Sequence, residues 1–333
     1  MTLPENVSCP ILAVILSGAQ RSRRTCCLAF WRKGGWFQQS FVLLLLLVAP
    51  QCLAAAPNPA WTRTFPPFRI AGNLYYVGSE DLAAYLIVTP KGDILINSNL
   101  ESSPPLIRKS VEALGFHFGD IKILLISHGH YDHCAGSAEI LRETHAKYEV
   151  MAPDVSVVES GGRTDFYYAN DKSMRFPPAH VDRILHDGDT VSLGGTVLTA
   201  HLTAGHTKGT ITWTLDEPEA GRNLHVVIVG SPNVNPGYKL VRNPTYPRIA
   251  ADYRHQFQVL KSLPCDIFLG AHGSYFGLKE KYDRYEAGDK NAFIDPEGYK
   301  AYIADREQAF ETEWKKQAGA SSKASPSHAS ARH

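Results

Sequence analysis

The segment Ser127-His128-Gly129-His130-Tyr131-Asp132-His133 places three imidazoles and a carboxylate within six residues. Packing does not explain such a cluster, whereas imidazole and carboxylate together are ligands suited to Zn²⁺. In an extended loop, positions i and i+2 project to the same side, so His128 and His130 can reach one ion together. Asp132 and His133, at the turn into a helix, must point elsewhere, and that geometry suits a second ion close by. Two later histidines sit where they can add ligands. His206 lies in Thr203-Ala204-Gly205-His206-Thr207, just after a strand, with Gly205 allowing a tight turn. His272 follows the strand segment IFLG between Ala271 and Gly273, small neighbours that let the backbone approach closely. His201, inside the alternating run TVLTAHLT, competes for a place lining the site. The isolated His117, His145, His180, His186, His225 and His255 read as ordinary surface or core residues.

Three strand ends must deliver these ligands onto loops, the usual place for a site on a rigid scaffold. The run IKILLI, Ile121 to Ile126, has the near-continuous apolar character of a strand buried on both faces and leads to His128. Strand signals also fall at Tyr85 to Val88 and Ile94 to Ile96, flanking the turn Pro90-Lys91-Gly92-Asp93. Others lie at Tyr148 to Met151, Arg183 to Leu185, Thr196 to Thr203, Thr210 to Leu215, His225 to Val229 and Cys265 to Leu269. Ser103 is placed to cap a helix with Pro104 at its first position, ending near Gly115. Ala250, Tyr253, Phe257 and Leu260 recur at helical spacing, and Asp295-Pro296 starts a terminal helix. Gly161 to His180 reads as a long irregular loop carrying Phe166, Tyr167, Tyr168 and Phe176. Strand and helix signals alternate from Asn73 without a repeat or an internal linker, which predicts one α/β domain over residues 57–317. The Ala/Ser-rich tail, 318–333, has nothing to bury and is expected to be disordered.

The 333 residues carry 34 basic and 33 acidic side chains, so the chain lacks the basic footprint of a nucleic-acid binder. That balance conceals an asymmetry. FVLLLLLVA, Phe41 to Ala49, follows Arg21, Arg23, Arg24, Arg32 and Lys33, and Ala54 to Ala56 supply small residues for cleavage. Residues 1–56 therefore read as a secretory signal peptide, too short in its apolar run to span a membrane. Acylation at Cys52 or a twin-arginine route through Arg23 and Arg24 are alternative uses of this leader. Its removal leaves 29 basic and 32 acidic residues, a formal charge of −3, with Cys134 and Cys265 as the remaining thiols. The expected product is a periplasmic protein without a membrane anchor, monomeric, relying on its core and its metals rather than on disulfides.

The pattern His-x-His-x-Asp-His, followed by Gly-His-Thr and a late Ala-His-Gly, resembles the metallo-β-lactamase superfamily over residues 65 to about 315. Its details resemble the B3 subclass. The resemblance implies an αββα sandwich and two Zn²⁺ per chain, one held by His128, His130 and His206 and the other by Asp132, His133 and His272. Ser231 stands where other subclasses have a cysteine ligand, and where related thioesterases and lactonases have a bridging aspartate after the strand HVVIV. Val234 to Leu240 resembles the B3 segment whose tyrosine, here Tyr238, lies beside the substrate carbonyl. Two departures stand out. Ala204 replaces the proline usual before Gly-His, and Asn97-Ser98-Asn99 occupies the place of a common aspartate beneath the site.

The implied reaction is opening of a β-lactam ring by hydroxide formed from zinc-bound water, with no nucleophilic serine and no covalent intermediate. Tyr238 would help to hold the oxyanion, Asp132 would orient the attack, and Ser231 and Asn235 would contact substrate or support those that do. Cys134 is expected as a buried free thiol. A lactone or thioester hydrolase is the alternative on the same site, and a non-catalytic zinc protein is a third reading that the intact ligand set disfavours.

Overall fold

A computed structural model describes residues 58–323 of the chain. The leader assigned to 1–56 lies outside the described residues, as does the tail beyond Lys323. Seven strands form one sheet in chain order: β1 (Phe68–Ala71), β2 (Leu74–Tyr76), β3 (Tyr85–Thr89), β4 (Gly92–Ile96), β5 (Ile121–Leu125), β6 (Lys147–Met151) and β7 (Arg183–Leu185). It is antiparallel through β4 and parallel from β4 to β7. The second sheet has the order β12-β11-β10-β9-β8, from β8 (Thr190–Leu193), β9 (Thr196–Leu202), β10 (Ile211–Glu219), β11 (Arg222–Val229) and β12 (Ile267–Gly270). Only its β11/β12 pair is parallel.

Helices cover the outer faces: α1 (Pro104–Ala113), α2 (Tyr131–Cys134), α3 (Ser137–Thr144) and α4 (Val155–Glu159), then α5 (Ile249–Ser262), α6 (Leu278–Glu286) and α7 (Pro296–Lys323). Strand alternation sorts the core into layers. Ile94 and Ile96 of β4 and Ile123 and Leu125 of β5 face the second sheet, while Leu95 and Leu124 point outward with Ile107 and Val111 of α1 and Ile140 of α3. On the far side, Phe268 of β12 meets Tyr299 of α7, and Tyr253 of α5 stacks on Phe310. The result is the αββα sandwich. It explains why β5 reads as one apolar run, since both its faces are covered.

Several elements differ from the sequence-based expectation. Ser103 occupies the N-cap position of α1, but its backbone is already helical and its side chain makes no cap bond. Pro104 and Pro105 leave no N–H in the first two helical positions for it to accept from. β1, β2 and β8 are short edge or near-edge strands with little alternation, and α6, LKEKYDRYE, buries only Leu278 and Lys281. The last helix runs past residue 317 to Lys323, because Gln317 is tied to the loop before it: its Nε2 donates to Tyr238 O and its Oε1 accepts from Leu240 N. The tail boundary drawn at 318 is corrected accordingly. Among the described residues no helix is long and apolar enough to cross a membrane.

Candidate metal centre

The loop leaving β5 is pinned before the first histidine is reached. Ser127 N donates to Asn97 Oδ1 at 2.8 Å, and Ser127 O accepts from Ile211 N of the opposite sheet. His128 and His130 follow, and the single turn of α2 then swings Asp132 and His133 to another side. The Gly-His-Thr loop after β9 supplies His206. There Gly205 has φ +148°, and a Cβ on it would sit 2.8 Å from the Tyr253 ring, so only glycine fits. His272 follows β12.

These loops gather two triangles of donor atoms. His128, His130 and His206 are buried, with ring centroids 4.7–4.9 Å apart and His130 Nδ1 3.1 Å from His206 Nε2. Their nitrogens lie close enough to hold one ion. In the second triangle His133 Nε2 is 3.2 Å from His272 Nε2 and 3.3 Å from Asp132 Oδ2, and His272 Nε2 is 3.6 Å from the same oxygen. Ligands about 2.0–2.1 Å from a tetrahedral Zn²⁺ stand roughly 3.4 Å apart, so both triangles have the size that zinc requires. His128 Nε2, buried and without a hydrogen-bond partner, is the orphaned atom that a metal would satisfy. The two triangles adjoin, with the rings of His128 and His133 4.4 Å apart.

Three of the nitrogens turned away from the triangles are hydrogen-bonded, those of His128, His206 and His272, while His130 Nε2 and His133 Nδ1 are not. His128 Nδ1 meets Ser127 Oγ at 3.1 Å, and His206 Nδ1 donates to Asn233 O at 2.8 Å. His130 Nε2 faces Asp165 at 3.6 Å, and His272 Nδ1 donates to Asp81 at 3.0 Å. Such bonds fix ring orientation and tautomer. Burial, reinforced by the neighbouring imidazoles, holds His128 well below the usual histidine range and takes His206 down to about 3, so both stay in the neutral form that binds metal. For His130, burial is outweighed by Asp165, and its basicity rises. Burial likewise opposes the charge on Asp132, but His133 and His272 hold its carboxyl below the ordinary range.

Three carboxylates that sequence reasoning missed organise this arrangement. Asp154 stands at the N-cap position of α4 yet spends its side chain elsewhere. Its Oδ2 accepts from Gly129 N and Thr207 Oγ1, and its Oδ1 accepts from Gly209 N, all at 2.7–2.8 Å. It therefore ties the His128–His130 loop to the His206 loop. Asp165 accepts from Tyr167 N and Tyr168 N while facing His130, and Asp81 accepts from Ser274 N while facing His272. Each is a lone acid in sequence, with no spacing to single it out.

The remaining expectations divide. Asn235 lines the cavity beside the triangles and its Nδ2 donates to Tyr168 Oη at 3.0 Å. Ser231 is fully buried, and its hydroxyl meets Tyr275 Oη at 3.2 Å, so Tyr275 rather than Ser231 faces the cavity. Tyr238 differs most. Its hydroxyl donates to His206 O at 3.0 Å from beneath the Gly-His-Thr loop, with the Phe166 and Tyr167 rings packed on it. It thus stands behind His206, with its hydroxyl engaged by that residue's backbone carbonyl. His201 stays on β9, bonded to Thr214 Oγ1. Cys134 is a buried free thiol donating to His130 O. Asn97 and Asn99, both at positive φ, use their amides on Ala83 O and Leu82 O, so neutral groups take over the bracing beneath the site. The cavity, about 240 Å³, has aromatic walls from Trp61, Tyr131, Tyr168, Phe176 and Tyr275.

A family model described as the metallo-beta-lactamase superfamily matches residues 82–272. Among solved structures, the FEZ-1 metallo-beta-lactamase of Legionella gormanii is 59% identical, with 77% of this chain and 97% of that chain covered and a TM-score of 0.76. The class B3 di-zinc metallo-beta-lactamase LRA-12 from an Alaskan soil metagenome is 37% identical, with 77% and 97% covered and a TM-score of 0.74. BJP-1, a subclass B3 metallo-beta-lactamase of Bradyrhizobium japonicum, is 35% identical, with 79% and 98% covered and a TM-score of 0.74. With sequence, fold and donor geometry in agreement, the chain belongs to the metallo-β-lactamase superfamily, and within it to subclass B3.

Proposed function

We propose that the protein is a dinuclear zinc hydrolase that opens β-lactam rings. His128, His130 and His206 would hold one ion, and Asp132, His133 and His272 the other. The observation that carries this reading is the pair of adjoining donor triangles, each of zinc dimensions, opening onto one aromatic-walled cavity. The chemistry brought with zinc is Lewis acidity toward the lactam carbonyl and acidification of water to a nucleophile at neutral pH.

The chain's own groups do the rest. Asp132, with Oδ2 turned to His133 and His272, offers its other oxygen to the proton of the attacking water. Asn235 and Tyr168 present an amide and a phenol to the polar edge of the substrate, while the aromatic walls take its apolar substituents and exclude water. Tyr238 keeps His206 in place through its backbone carbonyl, and Ser231 orients Tyr275. The same reading assigns residues 1–56 to a signal peptide and the mature protein to the periplasm as a soluble monomer. Support comes from the basic region, the apolar run and the small residues at Ala54 to Ala56.

The test is turnover of a chromogenic cephalosporin, a penicillin and a carbapenem by purified protein, before and after chelation. Hydrolysis abolished by chelation and restored by zinc is expected. No turnover of any of the three with two equivalents of zinc bound would overturn the assignment. Fractionation and N-terminal sequencing check the export reading, which a mature protein still beginning at Met1 would refute.

A further inference from the structure

The N-terminal end of the described chain reaches the second donor triangle. The 3-10 turn Pro59–Trp61 lies on the Ser79–Asp81 loop, where Asp81 N donates to Ala60 O, Glu80 N to Arg63 O, and Thr64 bridges Ser79. Trp61 Nε1 then donates to Asp81 Oδ2 at 3.1 Å. That is the oxygen that accepts from His272 Nδ1 at 3.0 Å. Asp81 is held from its other side by Ser274 N to Oδ1 and Gly273 N to the backbone oxygen. The Trp61 ring lines the cavity with its centroid 6.0 Å from that of His272 and 6.1 Å from that of Tyr131.

We infer that Trp61 is a positioning residue for the second metal, acting through Asp81 on His272. A carboxylate that orients a ligating imidazole is effective only while its own rotamer is fixed. Asp81 lies near the surface, 13% exposed, and the indole N–H is the side-chain donor that shares its Oδ2 with His272. Replacing that donor by water frees the carboxylate to turn, and His272 with it. The first triangle has no contact with this segment through its outer partners, which are Ser127, Asp165 and Asn233.

The inference rests on the dinuclear reading above. Its test is zinc affinity at each site, measured by chelator competition on the full mature protein, for Trp61→Phe, Asp81→Asn and the double variant. Phenylalanine keeps an aromatic wall and removes the N–H. Trp61→Phe should weaken the zinc of the second triangle roughly tenfold and Asp81→Asn roughly 10–100-fold, with the other zinc and the melting temperature of the metal-free protein unchanged. In the Asp81→Asn background Trp61→Phe should add nothing further. An unchanged second zinc in Trp61→Phe, equal weakening of both, or additive effects of the two substitutions would overturn it. If the parent itself binds fewer than two equivalents, the dinuclear reading fails and takes this inference with it.

Discussion

The two donor triangles are made of the same chemistry but are built differently. In the first, all three histidines are buried, His128 Nδ1 and His206 Nδ1 are hydrogen-bonded on their outer side, His130 Nε2 faces Asp165 at 3.6 Å, and Asp154 locks the two contributing loops together. In the second, Asp132 and His272 are each 13% exposed and His133 Nδ1 is buried without a hydrogen-bond partner. Only His272 there has a carboxylate behind it. Redundant support makes one site part of the core, and a rim position makes the other dependent on a few side chains.

The sharpest test of that contrast is removal of a ligand from each side. His206→Ala and Asp132→Ala should each cut kcat/KM by more than the roughly 100-fold reached by outer-shell changes. Metal analysis should separate them: Asp132→Ala retains one tightly held zinc, while His206→Ala loses tight binding at the first site. Equal metal retention in the two variants would break the contrast.

Asp154→Ala probes the lock itself. It strands two buried backbone N–H groups, those of Gly129 and Gly209, each costing about 1–3 kcal/mol when unpaired, while the Thr207 hydroxyl keeps Thr210 Oγ1 at 2.9 Å, so a fall in stability of at least about 2 kcal/mol is expected. Urea denaturation of the metal-free protein measures it. A loss confined to zinc affinity would mean that the lock holds metal and not fold.

Glu217, outside both triangles, supplies a baseline. It is buried, its Oε2 accepting from Asn73 N, and burial raises its pKa to about 7. Because the folded value lies above the ordinary one, folded protein loses stability as pH climbs from about 4.5 to about 7, and the penalty persists above that. Glu217→Gln should therefore gain on the order of 2 kcal/mol at pH 9, with zinc affinity unaltered. The urea midpoint at pH 5 and pH 9 reads this out, and a shift in zinc affinity would show that the far end of the sandwich communicates with the site. The smallest effect is expected from Ser127→Ala. It removes one of several supports of the first triangle and should weaken zinc there by no more than about tenfold, the equivalent of one ordinary hydrogen bond.

The ligands were legible because their chemistry is conspicuous: three histidines and an aspartate after an apolar run have few other uses. Strands covered on both faces, such as β5, announced themselves by composition, and α5 by its stripe. The supporting acids Asp81, Asp154 and Asp165 were not legible, since what distinguishes them is a partner far along the chain. Tyr238 was expected beside the substrate carbonyl; its bond to His206 O depends on how Phe166 and Tyr167 fold over it and has no signature in the sequence. Edge strands β1 and β8 and the polar helix α6 escaped because they bury too little to leave a pattern.

The carboxylates around the centre have one more consequence. Asp132, Asp81 and Asp165 keep negative charge in a small, poorly hydrated space because imidazoles face them, and divalent cations would add to that compensation. Stripped of its ions, the same space holds buried imidazoles and carboxylates with His128 Nε2 left unpaired. Zinc then works as a keystone as well as a reagent. In a metal-poor environment the protein should be lost to proteases as well as to inactivity, and its survival becomes a gauge of the zinc within reach.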